Sequence, residues 1–303
     1  MKIAAMSNAG MGPDGTLDAT VAEAQRAEAA GMSGFWMPNI FGLDAINALS
    51  IVGRETERCE LTTAVVPTYP RHPTAMAQQA LTAAAACSGR FVLGIGLSHK
   101  IVIEDMLGFS YEKPARHMRE YLEVLAPLLR GEPVSYQGEQ YRVNAGLQVA
   151  GAGSVPILVA ALGPVMLKLA GRLADGTITW MTGPKTLESH VIPEIRAAAQ
   201  AAGRPEPRIA AGLPICITRD AAAARETIAK SLAIYGTLPS YRAMLDREGA
   251  EGPGDVALVG DEKAVGAQID RLRDLGVTEF GGAIVPVEEG AAERTFEFLA
   301  SRL

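Results

Sequence analysis

Short apolar runs rich in Val, Ile and Leu alternate with Ala- and Leu-rich helical stretches along the whole chain, and few folds permit that pattern. A strand that reads as continuously apolar is buried on both faces, as parallel strands covered by helices are. Strands are expected at residues 2–6, 34–37, 61–66, 90–95, 156–162, 176–181, 208–217 and 277–285. Between and after them, helices are expected at 16–30, 44–54, 73–87, 114–130, 165–173, 186–202, 261–275 and 290–303, with a further helical region at 221–235. The ends carry helix punctuation: Gly31 after the first, Asp44 and Asp261 before two others, Pro114 and Gly131 around the most amphipathic one. Eight strand–helix units joined by right-handed crossovers predict one α/β domain over 1–303, a (β/α)8 TIM barrel. A doubly wound open sheet is the alternative.

Three stretches depart from the rhythm. Residues 134–143 alternate polar and apolar around Gln137–Gly138, which predicts an inserted hairpin. Residues 97–113 and 236–255 read as long irregular loops, expected to act as lids at the C-terminal mouth of the barrel. A short apolar run at 256–259 stands outside the count of eight.

Composition narrows the class. Of the 303 residues 48% are hydrophobic, ample for one large core. The net charge is −6 with Lys and Arg scattered, which argues against nucleic acid or an anionic membrane as partner. Cys59, Cys87 and Cys216 are odd in number, far apart and free of any CxxC pair, which suits a reducing cytoplasm. The start MKIAAMSNAG lacks a signal-peptide apolar core, and no run approaches a membrane span of about 18 apolar residues. The expectation is a cytoplasmic protein acting on a small molecule.

In a TIM barrel the chemistry belongs at the C-terminal ends of the strands. Here those ends carry Asn39, residues 67–72, residues 96–100, residues 162–164 and residues 181–185, mostly small, amide or hydroxyl groups. His72, His99, His117 and His190 show no HxH or HExxH spacing, so no metal site is expected. Paired strand-end carboxylates, a strand-end Schiff-base lysine and a GxSxG elbow are also missing from the sequence. A lining of this kind suits a reaction carried by an external cofactor. The Leu162-Gly163-Pro164 turn opens directly into a helix, so its free amides and the positive end of the dipole make a phosphate site, or else an ordinary tight turn. The run from Ala64 to Pro73, with three prolines, makes a stiff loop at the mouth or simply a rigid connection, and Gly94-Ile95-Gly96 lets something flat approach the backbone. His99 is a candidate proton donor, or else a structural histidine.

Four segments in order, residues 90–108, 113–143, 157–183 and 256–280, resemble the luciferase-like monooxygenase superfamily and, within it, the coenzyme F420-dependent branch. The resemblance covers nearly the whole chain. It implies a tricyclic ring held at the barrel mouth, with a non-prolyl cis peptide at Ala64–Val65 supporting it and Val65 as its back-stop. It further implies that Ala64, Val65, Thr68, Gly96, Ser98, Ala161, Leu162, Gly163 and Pro164 bind the cofactor, F420 or alternatively FMN. Hydride transfer at the deazaflavin C5 is then expected, with His99 donating a proton and Asn39 orienting a polar group. Sugar-phosphate dehydrogenases of the branch carry Asp-His where this chain has Asn39-Ile40, and Glu where it has His99, which implies a different and less polar substrate. The resemblance also implies a homodimer through the third helix, although a core-facing helix accounts for its alanines too. The rival readings are an FMN-dependent monooxygenase, a flavin-binding protein without catalysis, and a phosphate-handling barrel without a redox cofactor.

Overall fold

The computed structural model describes residues 1–9 and 15–303. Its elements, in order, are β1 (Lys2–Met6), α1 (Leu17–Ala29), β2 (Gly34–Met37), α2 (Ala45–Val52), β3 (Glu60–Thr63), β4 (Val66–Pro67), α3 (Pro73–Ala86) and β5 (Phe91–Gly96). Then come α4 (Pro114–Leu129), β6 (Val134–Gln137), β7 (Arg142–Ala145), β8 (Ile157–Val159), α5 (Pro164–Leu173) and β9 (Gly176–Trp180). The chain finishes with α6 (Pro184–Thr186), α7 (Ile192–Ala201), β10 (Arg208–Ile217), α8 (Ala221–Ser231), α9 (Ala233–Thr237), α10 (Pro239–Glu248), β11 (Leu258–Gly260), α11 (Glu262–Asp274), β12 (Glu279–Ile284) and α12 (Ala291–Ser301).

Parallel pairing runs β1, β2, β3, β5, β8, β9, β10, β12 and back to β1, closing an eight-stranded (β/α)8 barrel. The interior is filled by size matching. Trp36 occupies it with Ala4, Val92, Leu158, Ile178 and Ala210 around it. Gly281 makes the room, since a Cβ there would lie 2.3 Å from the indole. The N-terminal end is closed by charge. Arg208, at the start of β10, donates to both carboxylate oxygens of Glu279 at 2.5 and 2.7 Å and reaches across the barrel to Glu60 at the start of β3.

The insertions differ from the sequence-based expectation in instructive ways. The third strand is interrupted: β3 stops at Thr63, the cis Ala64–Val65 peptide follows, and β4 resumes at Val66. Residues 236–255 are mostly helical, for Pro239 opens α10 at its first turn and Gly249 ends it at φ +77°, so the Gly and Pro mark helix ends. The run at 256–259 becomes β11, which pairs with β10 outside the ring. Residues 101–106 of the first expected lid form a π-helical turn. In the hairpin, β6 pairs with β7. Its tip is held by the buried Glu120 of α4, which accepts N–H bonds from Glu139, Gln140 and Tyr141 at 3.2, 2.8 and 3.2 Å. The buried residues of α3 pack within the chain, against α2 and α4, which accounts for its alanines without a second copy. Among the described residues no helix is long and apolar enough to cross a membrane.

Candidate functional site

At the mouth, β5 carries glycine where its neighbours crowd it. A Cβ on Gly94 would lie 1.9 Å from the Thr63 carbonyl oxygen. A Cβ on Gly96 would lie 2.8 Å from Val65 Cγ2 and 3.1 Å from Ala160 Cβ. Val65, Gly96 and Ala160, from three adjacent strand ends, thus meet in one small-residue surface with Ala64 behind it and Ala161 buried below. Gly96 also accepts the Thr68 N–H at 3.0 Å, which ties the proline-rich loop to the fourth barrel strand.

One turn further round the rim, Gly163 is the N-cap of α5, with φ −80° and ψ 157° and open space where a Cβ would be. No side chain caps this helix. Pro164 stands at its first position, where the missing N–H costs nothing, and the following amides lack an intrahelical acceptor. Several other helix starts are already served by the protein's own side chains, although the α4 start is uncapped like that of α5. Thr16, Asp44, His72 and Asp220 cap α1, α2, α3 and α8, and the Glu248 carboxylate accepts from Lys185 N–H and Thr186 N–H at the start of α6. The α5 start thus has no side-chain cap, and helix starts of this kind have the free amides and dipole end that suit an anion. Leu162 is fixed there by His190 Nε2, which donates to its carbonyl at 2.8 Å.

The remaining sequence-derived candidates are spread around these two features. Ser98 adopts φ +60°, and its carbonyl accepts the Tyr111 hydroxyl at 3.2 Å. His99 is half-buried, burial lowers its pKa below the ordinary 6.5, and its ring lies 5.7 Å from that of Tyr241. Asn39 accepts the Ala45 N–H on its side-chain oxygen at 3.0 Å, beside the Asp44 cap at the start of α2. Thr68 is fully buried, and its hydroxyl meets His117 Nε2 at 2.9 Å.

Sequence reasoning missed an aromatic wall. Tyr69 is stacked between Tyr111, at 5.4 Å, and His117, at 3.9 Å and 1°. Burial pushes the His117 pKa down to about 4, with the hydrogen bond to Gln140 and the charge of Glu120 pulling partly back, so the ring is neutral at pH 7. Beyond His99 lie Tyr241, Tyr235 and Trp180, in ring contacts of 5.0 and 6.3 Å. These tyrosines are isolated in the sequence, and only the barrel brings the inserted segments to one place. Among the described residues no group of three or more His, Cys, Asp or Glu is placed to hold a metal.

Residues 2–279 match the sequence model of the luciferase-like monooxygenase family. The chain is 27% identical over 301 residues to the 5,10-methylenetetrahydromethanopterin reductase of Methanolobus tindarius, covering 88% of this chain and 91% of that one. It is 31% identical over 231 residues to a putative coenzyme F420-dependent oxidoreductase of Mycobacterium tuberculosis, covering 69% of this chain and 65% of that protein. The structure of the coenzyme F420-dependent tetrahydromethanopterin reductase from Methanopyrus kandleri superposes over 100% of this chain and 97% of its own, with a TM-score of 0.80 and 24% identity. A match over nearly the whole length, on a barrel with the interrupted third strand and the open helix start, has one reading: this chain belongs to the luciferase-like monooxygenase family.

Proposed function

We propose that the protein is a coenzyme F420-dependent oxidoreductase that transfers a hydride between the deazaflavin and a small organic substrate carrying a C=C, C=N or C=O bond, or the corresponding alcohol. The observation that carries this reading is the pairing of a small-residue platform with an open helix start on the same rim. A flat ring fits against Val65, Gly96 and Ala160, whose small side chains meet at the strand ends. A phosphate fits at the α5 start, where no carboxylate of the protein competes for the amides. The Mycobacterium tuberculosis relative, named for coenzyme F420, points the same way.

When bound, F420 supplies a two-electron hydride donor or acceptor, which the side chains present cannot. The protein's part is position, dryness and a proton. Val65 would back one face of the ring, leaving the other face to the substrate. Gly163 and the first amides of α5 hold the anionic tail and fix the register of the ring. His99 is the proton donor at the mouth: burial favours its neutral form, so protonating it makes it a stronger acid than an exposed histidine. Asn39, held by its bond to Ala45, presents N–H to an acceptor atom.

The test is anaerobic turnover of reduced F420 against enones, imines and ketones, followed by the return of oxidised deazaflavin absorbance. Acceptor-dependent oxidation supports the proposal. Oxidation that needs dioxygen and FMN, with none supported by F420, moves the protein to the FMN-dependent monooxygenases.

A further inference from the structure

A planar trans peptide points its N–H opposite its C=O, so a bond to one end fixes the direction of the other. The Leu162-Gly163 peptide at the turn into α5 is trans, and its glycine has more backbone freedom than any other residue would. His190 removes that freedom. It is 5% exposed, and its Nε2–H donates to the Leu162 carbonyl at 2.8 Å, which aims the Gly163 N–H the opposite way. A leucine would fill the same space at a lower desolvation cost, so what the imidazole adds is the bond. The Leu167 N–H already closes on the Gly163 carbonyl at 3.0 Å, and the amides of Val165 and Met166 are the ones left without an intrahelical acceptor.

The helical stretch that carries His190 is itself held in place. α6 and α7 join through a π turn at Leu187–Val191, and His190 leaves from that wider turn. Further along, α7 meets α5 at Gly171, where a Cβ would lie 2.5 Å from the Ile195 carbonyl oxygen. One neighbour thus grips α5 twice, backbone against backbone at Gly171 and through a side chain at its start. The other end of this neighbour is pinned by the insertion. Glu248, the last residue of α10, accepts the Lys185 N–H, the Thr186 N–H and the Thr186 hydroxyl at 3.1, 2.8 and 2.9 Å. Gly183 lets that carboxylate in, since a Cβ there would collide with it.

We propose that His190 is the positioning residue of the cofactor phosphate. Without touching the phosphate, it holds the Leu162-Gly163 peptide so that Gly163 and the first turn of α5 present their N–H groups together, and Glu248 braces it from the insertion. The inference rests on the F420-dependent reading for what binds at α5. Its mark is selectivity, because the clamp acts on the phosphate and leaves the ring alone.

The probes are F420 and its deazariboflavin core, which lacks the phosphate, titrated by fluorescence into the parent, His190→Phe and His190→Gln. Loss of one net hydrogen bond in His190→Phe should weaken F420 binding by about 2- to 12-fold while the core binds as before. His190→Gln, which offers an N–H of its own, should restore most of the loss. Glu248→Gln should weaken F420 with the same selectivity, and adding it to His190→Phe should bring little further loss, because both act through one bond. Thermal unfolding checks that each variant is folded, and Glu248→Gln carries the test if His190→Phe is not. Equal losses for F420 and the core, or parental F420 affinity in folded variants, overturn the clamp. If the protein takes FMN instead, the same selective loss for FMN over riboflavin upholds the clamp and removes only the F420 reading. Binding of neither F420 nor FMN overturns both.

Discussion

Gly163→Asp separates cofactor binding from stability by moving them in opposite directions. The native backbone at this N-cap, φ −80° and ψ 157°, suits any L residue, and a Cβ there meets nothing within 4 Å. Aspartate at an N-cap accepts from the amides of the first turn, gaining a few tenths of a kcal/mol over glycine. Its charge adds about 0.3–1 kcal/mol with the helix dipole. The variant should therefore fold at least as well as the parent. The same carboxylate occupies the amides proposed for the phosphate. Losing one charge-assisted hydrogen bond costs about 1.5–3 kcal/mol, which weakens F420 binding by about 10- to 150-fold before like-charge repulsion is counted. Fluorescence titration with F420 under argon gives the affinity, and thermal unfolding of the same samples gives the stability. Gly163→Ala is the control, since it fills the space without charge and should bind nearly as the parent does. A well-folded Gly163→Asp protein with parental affinity would refute the placement of the phosphate at α5.

Three further outcomes are expected. With His99 as proton donor, reduction should speed up as pH falls through its lowered pKa, below 6.5, and His99→Gln should abolish that acid limb and slow turnover by about 10²–10⁴-fold while F420 affinity is retained; a pH profile of kcat/KM checks it, and an unchanged limb removes His99 from the reaction. Trp36→Ala empties the barrel interior and should cost about 3–5 kcal/mol in denaturant unfolding, whereas a cost near that of a surface change would contradict the packing described for Gly281 and its neighbours. For Glu120, burial raises the pKa, but the N–H bonds from the hairpin tip, helped by Arg119, outweigh it and the net shift is downward. A depressed folded-state pKa contributes stability that is present above the unfolded value of 4.5 and is lost as pH falls through the folded one. Glu120→Gln should thus flatten the acid side of the stability profile, as pH-dependent melting will show.

Much of the fold is legible in the sequence, and the reasons are physical. Strands buried on both faces announce themselves by unbroken apolar runs, so the ring of eight and the turn at Leu162-Gly163-Pro164 follow from local chemistry. Residues 236–255 did not, because Pro239 and Gly249 are breakers in the interior of an element and caps at its ends, and the sequence does not say which. β11 was hidden for a related reason: three residues paired with β10 are too few for a periodicity. The aromatic wall was the least legible. Trp180, Tyr235 and Tyr241 lie on β9, α9 and α10, and Tyr69, Tyr111 and His117 on three other segments. Contacts between distant segments leave no spacing to read. The Thr68–His117 bond likewise joins residues 49 positions apart, and it places the Thr68 hydroxyl in the wall beneath the mouth.

Which flavin the barrel holds decides whether the protein is an F420-dependent enzyme. The decisive measurement is an anaerobic titration of the purified protein with F420 and, separately, with FMN, followed by ligand fluorescence. Saturable binding of F420 with little response to FMN is the predicted result. Preference for FMN, or binding of neither, would contradict the central claim and leave the luciferase-like barrel without the cofactor assigned to it.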